Sequence, residues 1–110
     1  MDRLSLKIVH EPDAVVIRCS GLLVAGVTGL LRTEVKRVMP ETRRIILDLG
    51  ELEKMDSMGL GTIVSLYVSA KAAGCELELV HLSKRVRELL GITNLLSVFE
   101  QAGETRSRLL

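Results

Sequence analysis

The chain has 110 residues, of which 47% are hydrophobic and 26% are charged, and its net charge is +1. These values fit one globular domain with an aliphatic core and argue against a disordered chain. A charge near zero, with one Tyr, one Phe and no Trp, provides neither the basic surface nor the stacking platforms of a nucleic-acid-binding protein. No apolar run reaches the roughly 20 residues of a membrane span, and the N-terminal stretch is not a signal peptide, so we expect a cytoplasmic protein.

The first half of the chain predicts a β-hairpin, a helix and a third strand. The stretch "LSLKIVH" alternates at strand period, Pro12 and Asp13 supply a turn, and "AVVIRCSG" resumes strand-like sequence. The stretch "TGLLRTEVKRVM" is an amphipathic helix that Pro40 ends. The short apolar run "RRIILDLG", bounded by charges and Gly50, is typical of a central strand covered on both faces.

The second half predicts two helices and two further strands. Apolar residues recur at helical spacing from Leu60 until Gly74 closes the helix, and "CELELVHL" then alternates as a strand. Ser83 caps a third helix, "KRVRELL", which Gly91 ends, and "LLSVFE" is a last short strand before the polar tail 101–110. We therefore predict a single α/β domain, with a mixed β-sheet of about five strands, an N-terminal hairpin and helices packed on the sheet.

The two cysteines, Cys19 and Cys75, both lie in apolar, strand-like runs and form no metal-ligand pattern. Two buried thiols in a reducing compartment are the favoured interpretation, and a disulfide is the minor alternative. We expect neither a metal nor a cofactor.

The stretch "EKMDSMGLGTIV" joins the predicted third strand to the following helix, and it raises the main question about function. Asp56 and Ser57 are residue types that cap a helix, because their oxygens accept hydrogen bonds from the first N–H groups. Gly59 and Gly61 require a reason of their own, since each glycine in a helix costs about 1 kcal/mol relative to alanine. Close approach to a strand and an open surface around Ser57 are both consistent with this pattern.

Catalysis by Ser57 is the disfavoured interpretation. The nucleophile elbow of hydrolases is Gly-x-Ser-x-Gly, and Met55 stands where its first glycine belongs. The only candidate bases are His10, beside the hairpin turn, and His81, at the end of the fourth strand. The two glycines complete neither a P-loop nor a dinucleotide fingerprint. The N–H groups at the helix start could still hold an anion, above all a phosphate carried by Ser57 itself.

The order of elements and two motifs resemble the STAS domain, and more closely the bacterial anti-sigma factor antagonists. The more specific motif is Met55-Asp56-Ser57-x-Gly59-Leu60-Gly61, and "GCELELV" followed by "SKRVRELLGITNL" supports it. The similarity covers about residues 4–100. We assign the whole chain, 1–110, to a single domain of this type.

The resemblance implies a phosphorylation switch. In such antagonists a partner anti-sigma factor with serine kinase activity phosphorylates the serine after the motif aspartate, and a phosphatase resets the cycle. By position, Ser57 is that serine. The unphosphorylated antagonist binds the partner and releases a sigma factor, so transcription is regulated without direct DNA contact. We expect the partner-binding residues to be Asp56, Met58, Gly59, Leu22 and Val24.

This chain departs from the family pattern beside Ser57. The family's Gly-Glu-x-Asp-like segment reads Gly21-Leu22-Leu23-Val24 here, so both acids are missing, and Met58 replaces the frequent Ser or Thr. Leu22, Val24 and Met58 are either packed inside the fold or form an apolar contact patch. The alternative function is a divergent STAS interaction module without a phosphorylation switch, in a lipid-transport complex, a sensory assembly or a nucleotide-responsive unit. The sequence leaves the oligomeric state open.

Overall fold

A computed structural model describes residues 3–92 of the chain. The elements, in chain order, are β1 (Leu4–His10), β2 (Val15–Leu23), α1 (Thr28–Val38), a 3-10 turn (Met39–Glu41), β3 (Arg44–Met55), α2 (Ser57–Ala72), β4 (Glu76–Val80) and α3 (Lys84–Ile92). This order confirms the predicted hairpin followed by alternating helices and strands. The predicted fifth strand, 95–100, and the tail lie outside the described residues.

The described strands form one mixed sheet in the order β1-β2-β3-β4. β1 pairs antiparallel with β2 as the predicted hairpin, whereas β2–β3 and β3–β4 are parallel pairs. Each parallel pair requires a crossover, and α1 and α2 supply the two crossovers. The ends of β2 and β3 therefore lie side by side, with Leu23 opposite Met55.

One aliphatic core joins the sheet to the three helices. Alternate strand residues turn toward these helices, as the period of two predicts. The largest fully buried side chains are Ile17, Leu23, Leu31, Ile45, Leu47, Leu49, Ile63, Leu66, Leu79, Leu90, Val35 and Val38. Among residues 3–92 no helix has the length and apolar character needed to cross a bilayer.

Two strands run further than the sequence pattern predicts. β3 continues through Gly50 to Met55, and β2 continues past Gly21 to Leu23. The charged stretch after Gly50 stays in the sheet because β2 follows it through two register shifts, which keep Leu52 and Met55 buried. As a result the strand leads directly into Asp56. The helix α3 also differs from the prediction, since it passes through Gly91 to Ile92.

Both cysteines are free and buried, as predicted. Burial, with a smaller contribution from the charge of Asp48, raises the pKa of the Cys19 thiol to about 12. Burial, and to a smaller extent the charge of Glu76, also raises the pKa of the Cys75 thiol. Both groups therefore remain protonated, unreactive thiols at neutral pH.

Candidate functional site at the start of α2

Asp56 is the N-cap of α2. Its backbone is extended, and its Oδ1 accepts hydrogen bonds from the N–H groups of Met58 at 3.0 Å and Gly59 at 2.9 Å. These are the donors that a helix start leaves without a partner inside the helix. The cap is therefore Asp56, and Ser57 is the first helical residue. The N–H groups of Met58 and Gly59 are already occupied, in contrast to our expectation that a phosphate would find them open.

The second carboxylate oxygen of Asp56 holds a different part of the chain. Oδ2 accepts a hydrogen bond from the N–H of Ala25 at 3.0 Å, in the loop between β2 and α1. The backbone N–H of Asp56 also donates to the Leu23 carbonyl at 3.4 Å. Hydrogen bonds from Ala25, and then from Gly59 and Met58, lower the pKa of Asp56 below its ordinary value. One side chain thus joins the start of α2 to the end of β2.

The two glycines of the motif have different surroundings. Gly59 is buried, and a Cβ there would collide with the backbone carbonyl of Leu23, so α2 and β2 approach closely at this point. Gly61 is exposed, and a Cβ there would meet no atom within 4 Å. Close approach therefore explains Gly59, whereas the described structure has room for a side chain at position 61. Gly59 is therefore buried by the protein's own strand, and the partner contact that we expect there stays a prediction.

The other predicted site residues surround an accessible serine. Ser57 is exposed, and Met58 keeps 57% of its surface exposed. Leu22 and Val24 are half-buried; Leu22 lies near the end of β2 and Val24 directly follows the strand, next to Ala25, which Asp56 holds. The structure thus brings the Leu22–Val24 segment and the Asp56–Gly59 segment together, while their contact with a partner stays a prediction. The apolar side chains of Met58, Leu22 and Val24 thus lie around Ser57, together with the Asp56 carboxylate.

Neither candidate histidine serves Ser57. His10 pairs with Val15 at the opposite end of β2. His81 lies beyond β4, and its Nδ1 is 3.1 Å from Oδ1 of Asp48. Asp48 precedes the end of β3 by seven residues, which corresponds to roughly 20 Å of strand. Among the described residues, Ser57 therefore has no histidine base, and the serine-hydrolase interpretation loses its geometric basis.

His81 is part of a polar cluster that the sequence analysis missed. Asp48 is buried and also accepts hydrogen bonds from the Gly50 N–H at 3.0 Å and from Arg18 at 3.4 Å. Burial raises the pKa of Asp48, but the bonds from Gly50, His81 and Arg18 outweigh it, and the net pKa lies below its ordinary value. His81 also adopts a φ of 57°, which is uncommon for a residue with a side chain. This cluster stabilises the sheet at a distance from Ser57.

Replacing Asp56 tests whether its carboxylate holds the site together. We expect Asp56→Ala to lower the melting temperature by about 4–8 °C, the effect of one lost cap in a domain of this size. Asp56→Asn keeps one oxygen as an acceptor, so its loss should be smaller. Because the folded-state pKa of Asp56 is lowered, its contribution to stability is present above about pH 4 and declines at lower pH.

Thermal unfolding between pH 3 and pH 7 checks both points. Relative to wild type, the Asp56→Asn variant should lose less stability between pH 5 and pH 3, since it lacks this titrating group. Equal melting temperatures for wild type and Asp56→Ala at neutral pH would contradict the capping role.

Comparisons with known proteins agree with this architecture. Residues 5–108 match the model of the STAS domain family. An anti-sigma F factor antagonist from Paenibacillus polymyxa is 26% identical over 97 residues, which cover 86% of this chain and 83% of the relative. The anti-sigma factor antagonist BtrV of Bordetella bronchiseptica is 32% identical over 94 residues, covering 77% of this chain and 81% of the relative.

A solved structure shares the fold at lower identity. The anti-sigma factor antagonist SpoIIAA in its unphosphorylated form superposes with a TM-score of 0.71 at 22% identity, over 83% of this chain and 82% of that one. At this identity the likeness concerns the fold. Together with the family match over nearly the whole sequence, it shows that the chain belongs to the STAS domain family and is similar to anti-sigma factor antagonists.

Proposed function

We propose that this protein is an anti-sigma factor antagonist whose binding is switched off by phosphorylation of Ser57. Its partner would be an anti-sigma factor with serine kinase activity, and a phosphatase would restore the binding form. The observation that carries this proposal is the position of Ser57. It is exposed at the first position of α2, beside a cap that is complete without it. Relatives named as anti-sigma factor antagonists support the same role.

The electrostatics of the site favour a switch that changes binding and leaves the fold intact. A phosphate adds roughly −1.5 to −2 charges at neutral pH. On Ser57 it would project from the surface next to the Asp56 carboxylate, and the positive end of the α2 dipole would tolerate it. Inside an interface, the same charge would repel acidic groups of a partner and lose its hydration. Phosphorylation therefore releases the partner without unfolding the domain.

The surface around Ser57 indicates how this partner is recognised. Leu22 and Val24 replace the acids that the family usually carries, and Met58 is the most exposed apolar side chain beside the serine. These residues favour an apolar contact, since Met adapts to the shape of the opposing surface.

The decisive experiment compares three immobilised baits in extract of the source cell: wild type, Ser57→Asp and Ser57→Ala. We expect wild type and Ser57→Ala to retain an anti-sigma factor of the kinase type, and Ser57→Asp to lose it. Purified partner and ATP should then transfer phosphate to wild type but not to Ser57→Ala. A Ser5→Ala variant, changed at an exposed serine of β1 away from α2, is the control and should accept phosphate normally.

Retention of the same partner by Ser57→Asp and wild type, together with no phosphate on Ser57, would overturn the switch. It would instead favour the second candidate function, a constitutive STAS interaction module. The apolar character of Leu22, Val24 and Met58 is the observation in favour of that alternative, because such a patch binds a partner without any change of charge.

A further inference from the structure

The outer face of α2 has an unusual composition for an exposed surface. Lys71 is the only charged residue among the 16 residues of the helix. The positions that face outward recur at helical spacing and are apolar or small: Met58, Gly61, Ser65, Val68 and Ala72. Met58 is 57% exposed and Val68 is 60% exposed. The exposed face of α2 lacks the charges that a solvent-facing helix surface usually carries. A helix that is apolar on all sides is normally buried on all sides.

The charges that border this face are basic on the side of α1 and mixed on the side of β4. Lys71 lies at its C-terminal end, with its Nζ 5.9 Å from the centre of the Tyr67 ring. Lys36 of α1 lines a groove of about 440 Å³ between α1 and α2, together with Met39, Pro40, Ser69 and Ala73.

The remaining charges beside the face do not make it acidic. On the same border, Arg32 contacts the hydroxyl oxygens of Thr62 at 3.3 Å and Ser65 at 3.4 Å. The helix α2 has no acidic residue, and the one acid of α1, Glu34, pairs with Arg37 at 2.7 Å. The surface is therefore an apolar strip with a basic border along α1, whereas on the β4 side Lys71 lines one groove with the acids Glu76 and Glu78.

We propose that the outer face of α2, from Met58 to Val68, is a docking surface for an amphipathic helix of the anti-sigma factor, with an apolar seam and acidic flanks. This inference rests on the proposed function. A partner that reaches Ser57 already covers the first turn of α2, and the uncharged strip continues from that turn for about two more turns, to Val68. An apolar seam fits the strip, and acidic groups of the partner fit Lys36 and Arg32 along α1 and Lys71 at the end of the strip.

Two properties of the surface favour this occupant over a second copy of the chain. A symmetric dimer through this face would place the same basic border opposite itself, and like charges across an interface are unfavourable. An acidic partner also explains why phosphate on Ser57 would end the binding, because the added negative charge would stand next to the acidic flank. The same partner would therefore contact both the docking surface and the phosphorylation site.

The test uses the purified partner that wild type retains and Ser57→Asp loses. We expect Val68→Glu to weaken its binding by about 30-fold, as for a residue central to an interface. Lys71→Glu should weaken binding by about 3- to 10-fold and reduce its dependence on salt. Lys7→Glu is the control for charge, since Lys7 is exposed on β1 between two residues that face the core. All three variants should keep the wild-type melting temperature.

Each outcome has a separate meaning. If wild type binds the partner and Val68→Glu binds it with equal affinity, the docking surface is wrong and the proposed function stands. If wild type sediments as a dimer and Val68→Glu as a monomer, a second copy covers this face, and the inference is also overturned. If wild type retains no anti-sigma factor, the proposed function fails and the docking surface fails with it.

Discussion

Substitution of Gly59 by alanine should destabilise the domain by about 2–4 kcal/mol, at the upper end of the range for overpacking. The added Cβ would collide with the backbone carbonyl of Leu23, and a backbone atom within a paired strand cannot move aside as a side chain can. The helix α2 would therefore have to shift away from β2. That shift would also strain the hydrogen bonds that Asp56 makes to Gly59 and Ala25.

Gly61→Ala is the matched control, since it adds the same methyl group two residues further along the same helix. No atom lies within 4 Å of the added Cβ, so the only change is the better helix propensity of alanine. We expect this variant to gain about 0.5–1 kcal/mol. Urea unfolding of both variants, with unchanged m-values, provides the measurement. Equal stability of Gly59→Ala and Gly61→Ala would show that α2 does not approach β2 as closely as described.

The contrast between these two glycines shows where sequence reasoning stops. Both residues stand in one motif, and the pattern of the motif predicted two reasons for glycine without assigning either one. The assignment depends on the distance between α2 and the Leu23 carbonyl, which is a property of the packed fold.

Local chemistry explains which parts of the fold could be predicted. The alternation in β1 and the turn at Pro12 and Asp13 are short-range signals, and the structure confirms the hairpin. Gly50 was interpreted as the end of β3, but the strand continues because β2 pairs with it beyond that point. Strand ends of this kind depend on a neighbour that is distant in sequence.

The candidate site likewise contains features that the sequence predicted and features that it could not predict. The types and order of Asp56 and Ser57 indicated a helix start, and the structure places it there. The bond from Ala25 to Asp56 had no sequence signal, because a backbone N–H is present at every residue except proline. The contact between His81 and Asp48 was missed for a related reason, since parallel strands bring together residues far apart in the chain.

Truncation of the two adjacent leucines at the end of β2 should affect different properties: stability at Leu23 and partner binding at Leu22. Leu23 is fully buried beneath the start of α2, so Leu23→Ala leaves a cavity and should cost about 2–5 kcal/mol of stability. Leu22 points to the other side of the strand and is half-buried, so Leu22→Ala should cost about 1 kcal/mol or less. If the apolar surface around Ser57 binds the partner, Leu22→Ala should weaken that binding by about 10-fold.

Urea unfolding and partner affinity, measured on both variants, separate packing from recognition. At a temperature where both variants are folded, a loss of affinity in Leu22→Ala with little loss of stability would assign Leu22 to the interface. Full affinity in Leu22→Ala would remove the end of β2 from the interface and leave Ser57, Met58 and the outer face of α2 as its candidates. Similar stability of the two variants would contradict the described burial of Leu23, since only a side chain enclosed by the core leaves a cavity when it is removed.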